Sequence, residues 1–337
     1  MLFGWFSLSP SGFDDALWLL AAAPALALVA DRALGEPPAR WHPVVWMGRA
    51  LAWAGARLAP PAGQSQAAAA ADGERRIFRI AALVWCVMAA LVVVLAAALQ
   101  CWILTQPAWL AALALGLFLK PLLAWAMLHD EVLAVERALA HSVLDGRARL
   151  ARLVSRDVRA LDASGVRESA IESLAENLND SLVAPLLWFA LLGLPGAALF
   201  RFANTADAMW GYRGERGGRD WTWAGRWAAR ADDALAWLPA RVTALLIALP
   251  GGRWPRGLRA QARLTPSPNG GWPMAAMALA LGVRLGKSGA YTLNTTARPP
   301  EAADTLRACA VGSRVALAAT LLACAALLGW LALGMAG

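Results

Sequence analysis

The sequence predicts an all-α, polytopic integral membrane protein with broken or re-entrant helices and a helix-rich cytoplasmic segment. Three observations carry that expectation. Of 337 residues, 59% are hydrophobic and only 16% charged, and the mean hydropathy of +0.49 lies above that of a typical soluble domain. Several apolar runs reach the roughly 20 residues that cross a bilayer as a helix. The basic residues behind the net charge of +8 sit in loops between those runs. An anionic leaflet or phosphorylated substrates account for them more simply than nucleic acid, so lipids are expected as partners and nucleic acid is not. Cys86, Cys101, Cys309 and Cys324 form no CxxC and have no histidine at ligand spacing, which reads as reduced packing residues.

One membrane-embedded domain, 1–337, accommodates every element. Its first apolar run, Ala16 to Ala30, follows Asp14 and Asp15 with no basic residue before it, a poor signal peptide. The run is short and contains Pro24, which suits a tilted first helix or an interfacial segment. Arg32, Arg40, Arg49 and Arg57 then mark 31–79 as a cytoplasmic loop. Within it, Gly35-Glu36-Pro37-Pro38 and His42-Pro43 interrupt any helix and gather a carboxylate, an imidazole and guanidiniums. Pro60 to Ala71 reads as a flexible linker. Residues 80–128 form a membrane hairpin, because Ile80 to Leu119 carries no charge and Thr105-Gln106-Pro107 supplies a turn. A hairpin returns the chain to its starting face, so His129 to Asp180 is expected as a soluble helical segment beside 31–79.

The segment 129–232 holds the central feature. Glu168, Glu172, Glu176 and Asp180 recur every four residues, with Asn179 among them, opposite Ile171, Leu174, Leu178 and Leu182. Each like-charge i,i+4 pair costs about 0.2–0.5 kcal/mol on an isolated helix, so a divalent metal or a basic loop is expected to offset them. The acids run straight into the apolar stretch Leu182 to Ala190, and carboxylates at a membrane boundary mark a functional site. Pro185 and Leu192-Gly193-Leu194-Pro195-Gly196 interrupt the next apolar run, and the loop after it, Asn204 to Asp220, is rich in arginine. The positive-inside rule therefore favours a broken or re-entrant element that keeps this loop cytoplasmic. Asn204 and Asp207 lie one helical turn apart and can both present oxygens to Mg²⁺. Arg213, Arg216 and Arg219, set among four glycines, can approach a phosphate closely, with lipid headgroups as the alternative anion.

In 233–314, Asp232-Asp233 leads into a short apolar stretch ending at Pro250, and Arg253, Arg256, Arg259 and Arg263 follow. The rigid turn Thr265 to Pro273 then opens a helix expected over Met274 to Leu285, with Asn269 and Trp272 at its mouth. Residues 315–337 are uncharged and read as a last span.

Taken in order, Gly35-Glu36-Pro37, His42-Pro43-Val44 and Gly48-Arg49 precede Ser155-Arg156-Asp157 and Glu172-Ser173-Leu174-Ala175-Glu176-Asn177-x-x-Asp180. Asn204-Thr205-x-Asp207-x-Met209-x-Gly211-Tyr212-x-x-Glu215-Arg216 and Ser267-Pro268-Asn269-x-Gly271-Trp272-Pro273 follow. This series resembles the CobD/CbiB family of cobalamin biosynthesis, over nearly the whole chain. The chain departs from the family pattern at Glu36, where aspartate is usual, at Trp41, at Leu178, and at Met274, where glutamate is frequent.

The resemblance implies an adenosylcobinamide-phosphate synthase in the inner (plasma) membrane, with cytoplasmic active-site loops. Such an enzyme ligates an aminopropanol, or aminopropanol phosphate, to the corrinoid adenosylcobyric acid as an amide, using ATP and Mg²⁺. Association with other cobalamin-biosynthesis enzymes is consistent with that role. For such chemistry, Glu172, Glu176, Asp180, Asn204 and Asp207 are the expected metal ligands, with Glu176, Asp180 and Asp207 catalytic. Arg213 and Arg216 are expected on a phosphate, and His42 and Asn269 on substrate. Two other classes fit the residues: a membrane Mg²⁺-dependent prenyl- or alcohol-phosphate transferase, and a non-catalytic corrinoid-binding paralogue.

Overall fold

The computed structural model describes residues 17–63, 71–249, 256–287 and 289–336. Among them, four helical elements are long and apolar enough to cross a membrane: Asp72–Ile103, Ala108–Leu139, Ala163–Trp210 and Ala302–Leu333. The polytopic all-α expectation holds.

A 3₁₀ turn, Leu17–Ala22, enters α1 (Ala23–Leu34). Pro24 sits in the first turn of α1, where its missing N–H removes no helical bond. Helix α2 (Pro43–Leu58) starts at His42, whose Nδ1 accepts a 3.3 Å bond from the Val44 N–H. Helix α3 (Ala71–Ile103) and α4 (Ala108–Leu119) form the expected hairpin around residues 104–107. Its second arm does not stop at Leu119. Lys120-Pro121-Leu122 forms a 3₁₀ turn, and α5 (Trp125–Leu139) prolongs the apolar element.

After α6 (Val143–Leu150), α7 (Ala163–Leu178) enters the centre of the protein. Val166, Ile171, Leu174 and Leu178 are fully buried there, and so, nearly, are Glu168 and Glu172. The segment is helical as expected, but its acidic side is not a solvent face. Helices α5, α11 and α12 pack against it, and its glutamates meet arginines brought in from elsewhere.

A π-helical turn, Asn179–Val183, joins α7 to α8 (Ala184–Trp210). Helix α8 is broken at Gly193, which adopts φ 69° and ψ −157°, a backbone conformation open to glycine and strained for other residues. The freed Leu194 N–H donates to Gln100 Oε1 of α3 at 2.7 Å. A broken element was expected at this run, and the break falls in the Gly-Leu-Pro-Gly stretch. Asn204 and Asp207 belong to the last turns of α8 rather than to the loop.

Strands β1 (Glu215–Arg216) and β2 (Arg219–Asp220) make a two-stranded ribbon, followed by α9 (Arg226–Ala248) and α10 (Leu258–Ala262). Helix α11 (Gly271–Leu281) ends earlier than the expected Leu285, because Gly282 turns left-handed at φ 66°. The chain then forms the ribbon of β3 (Leu285–Lys287) and β4 (Tyr291–Leu293) before α12 (Ala302–Ala336). All four cysteines are unpaired.

Candidate active site

The π turn between α7 and α8 sets the geometry of the site, since an extra residue in the helical ladder re-aims the side chains around it. Asp180 lies in that turn. Its Oδ1 accepts from Asn179 Nδ2 at 2.8 Å, and its Oδ2 accepts from Asn204 Nδ2 at 3.3 Å. Its carbonyl accepts from Arg201 Nη1 at 3.2 Å. Thr243 of α9 donates to Asn179 Oδ1 at 3.1 Å, tying the turn to the neighbouring helix. Asp207 stands one turn beyond Asn204, and Gly211 makes room for it: a Cβ at Gly211 would overlap Asp207 Oδ1.

Two acids that the motifs did not single out complete this cluster. Asp232 and Asp233 project from α9. Burial, and then the charges of Asp180, Asp207 and Asp233, push the Asp232 carboxyl well above the ordinary carboxylate range. Its Oδ1 is buried without a hydrogen-bond partner. Burial raises Asp233 as well, and the nearby Arg213 guanidinium opposes that rise. Asn269 closes this side, donating from Nδ2 to the Asp233 carbonyl at 2.7 Å and accepting from Arg241 Nη1 at 2.6 Å. The fold thus brings Asp180, Asn204, Asp207, Arg213 and Asn269 near one another, beside aspartates and arginines that the sequence reading did not rank.

Along α7 the glutamates divide. Glu168 pairs with Arg284 at 3.1 Å and Glu172 with Arg156 at 2.9 Å, so arginines offset these two acids. The Glu172 Oε1 keeps no partner, and burial followed by the Glu172 charge raises the Tyr291 phenol. Glu176 differs. It is exposed although it lies mid-helix in a buried element. Gly270 stands opposite, where a Cβ would come within 2.9 Å of Glu176 Oε1.

His42 joins a third group. Its Nε2 lies 3.0 Å from Glu36 Oε2, and Lys120 Nζ lies 3.4 Å from the same oxygen and 3.7 Å from Asp31 Oδ1. Asp31 Oδ2 accepts from the Ala126 N–H at 2.7 Å. Arg201 feels the charges of both Asp180 and Glu36 and so links this group to the aspartates. Lys120 had a signal in the sequence: it is the first charge after the long uncharged run, and ionisable groups at such positions are costly unless they serve a purpose.

The arginine-rich loop is divided in its duties. Arg219 donates to the Ala59 carbonyl at 2.6 Å, and Glu215 accepts from the Gly63 N–H at 2.9 Å, which fastens the ribbon to the end of α2. Arg216 is exposed and stacks over the Tyr212 ring at 3.8 Å. Arg213 is the member that faces the aspartates. Arg253 lies outside the described residues.

Among the described residues, no three His, Cys, Asp or Glu side chains converge closely enough to enclose one ion. The carboxylate and amide groups around Asn204 present oxygen, and Asp232 Oδ1 is buried without a hydrogen-bond partner. That set fits Mg²⁺ in its usual mode, which keeps several waters and uses one or two carboxylates together with substrate phosphates.

Fold and site together define a polytopic helical membrane protein with an acid-rich polar centre built between broken and π-turned helices. The family model described as CobD/Cbib protein matches residues 24–331, and the chain belongs to that family. It is 42% identical over 280 residues to "Cobalamin biosynthesis protein CobD" of Chromobacterium violaceum, covering 82% of this chain and 84% of that one. It is 38% identical over 283 residues to "Probable cobalamin biosynthesis protein CobD" of Methanothermobacter thermautotrophicus, covering 80% and 84%. Against "Cobalamin biosynthesis protein CobD" of Rhodobacter capsulatus it is 38% identical over 317 residues, 89% and 95% of the two chains. No solved structure matches.

Proposed function

We propose that this protein works in cobalamin biosynthesis as an adenosylcobinamide-phosphate synthase, an ATP- and Mg²⁺-dependent ligase in the inner membrane with its site on the cytoplasmic side. Family membership supports the pathway. The observation that carries the chemistry is the cluster of Asp180, Asp207, Asp232 and Asp233 around Asn204, with Arg213 beside it.

A carboxylate is a poor electrophile, so amide formation proceeds best through an acyl phosphate. The γ-phosphoryl group moves to the substrate carboxylate oxygen, and the bond to ADP breaks. The amine nitrogen then attacks the acyl carbon, and inorganic phosphate leaves with the C–O electron pair. One or two of Asp180, Asp207 and Asp232, with Asn204, would hold Mg²⁺ directly or through water, and the ion would supply charge neutralisation on the ATP phosphates. Arg213 stabilises the transferring phosphoryl group, and Glu176, the exposed carboxylate of α7, takes the proton lost by the amine. His42 is held by Glu36, and Asn269 by Asp233 and Arg241, and both are assigned to substrate contact in this reading. Met274 packs its sulfur 3.7 Å from the Tyr291 hydroxyl.

Mass spectrometry of products from purified protein, adenosylcobyric acid, ATP, Mg²⁺ and either aminopropanol or its phosphate tests the reading. An adduct heavier by the amine less one water, with ADP released, is expected. Diphosphate release without an amide would establish the transferase class instead, and corrinoid binding without turnover the carrier class.

A further inference from the structure

Beyond the aspartate cluster, a cavity of about 620 Å³ opens between α9, α10 and the Ser-Pro-Asn turn. Its size is that of a small-molecule site. Arg241, Arg259 and Arg263 line it together with Trp237 and Trp272, and the chain from Thr265 to Pro268 forms one wall.

Arg241 is held in place before any ligand arrives. It donates to the carbonyls of Trp237 at 2.7 Å and Pro268 at 3.2 Å, and to Asn269 Oδ1 at 2.6 Å. Its guanidinium also faces both indoles, 4.7 Å from the Trp237 ring and 4.8 Å from the Trp272 ring. All of these partners are neutral. Arg259 and Arg263 are exposed and one helical turn apart, a like-charged pair that disfavours itself. Among the described residues, no acid forms an ion pair with any of the three. Three guanidiniums lining one cavity without a carboxylate partner make it favourable for an anion. Their planar forks match the oxygens of a phosphate, and the two indoles offer an apolar wall to whatever the phosphate is attached to.

We propose that this cavity is a binding site for an organic phosphate, held by Arg241, Arg259 and Arg263 against Trp237 and Trp272. Asn269 connects it to the aspartates, accepting from Arg241 on one side and donating to the Asp233 carbonyl on the other. A bound phosphate therefore lies at the edge of the acid cluster. Phosphate binding stands on the guanidiniums alone; only its use as a co-substrate subsite rests on the ligase reading. The same chemistry serves a soluble phosphate ester or the headgroup of an anionic lipid.

The test is calorimetric titration with inorganic phosphate and with phenyl phosphate of the full-length protein in phosphatidylcholine nanodiscs. Saturable binding is expected, tighter for phenyl phosphate, and weakened about ten- to a hundredfold in the Arg259→Gln/Arg263→Gln double variant, whose side chains are exposed. Repeating the titration in phosphatidylglycerol nanodiscs separates the sources. Unchanged affinity assigns a soluble ester; lost affinity, with phosphatidylglycerol retained in native mass spectrometry by wild type and not by the variant, assigns a headgroup. Equal titrations for wild type and double variant, or no saturable binding and no retained lipid, overturn the site. Asp180→Asn separates the two proposals, since it should lose ligation while binding phenyl phosphate as wild type does. Failure of ligation in wild type with intact, arginine-dependent binding overturns the ligase reading and leaves the pocket.

Discussion

Gln100 Oε1 accepts a 2.7 Å hydrogen bond from the backbone N–H of Leu194, so one side chain of α3 caps the break in the middle of α8. Gln100 is 1% exposed, and a Cβ on Gly193 would overlap its amide. Gln100→Leu leaves that N–H unsatisfied away from water, which costs about 1–3 kcal/mol. Thermal unfolding in detergent should show the loss. Wild-type stability in Gln100→Leu would mean that the broken helix needs no cap.

Lys120 offers a second test of the interior. It is 2% exposed, beside Asp31 and Glu36. Lys120→Met removes the cation and leaves two acids near each other, a change worth about 3–5 kcal/mol for a buried pair losing one partner. Adding Asp31→Asn should recover part of the stability. An additive, further-destabilised double variant would refute the pairing.

Asp180→Asn and Asp207→Asn are expected to abolish turnover while the protein still inserts and folds. Each removes one charge from crowded acids, so stability stays level or rises by a few tenths of a kcal/mol, roughly the like-charge scale. The checks are ligation assays beside unfolding curves. Loss of folded protein in both variants would show that the acids hold the structure together instead.

Topology is checked by labelling in a cysteine-free background. Trp41, Arg213, Pro268 and Thr105 are exposed, and each can be replaced by cysteine. The first three are expected to react from the cytoplasmic face and Thr105→Cys from the opposite face. Arg213→Cys and Thr105→Cys reacting from the same side would contradict a single cytoplasmic site.

Much of this architecture was legible along the chain. The uncharged run from Ile80 announced the α3–α4 hairpin, the four-residue spacing of acids announced α7, and Leu192 to Gly196 announced the break in α8. Asn204 and Asp207 were legible for the same reason, because helical periodicity fixes which nearby side chains share a face. The division of labour among the glutamates was not. Glu168 and Glu172 look alike in sequence to Glu176, and only packing shows that the first two meet Arg284 and Arg156 while the third is left exposed.

The sequence by itself determined the membrane class, the helical elements and the candidate acids, since hydropathy and periodicity are properties of one segment at a time. The tertiary structure decided the partners. Asp232, Lys120 and Gln100 come from elements far along the chain from the groups they meet, and their roles depend on which helices touch. A buried charge or polar group must find compensation in space rather than along the chain, and no local pattern records where that compensation lies.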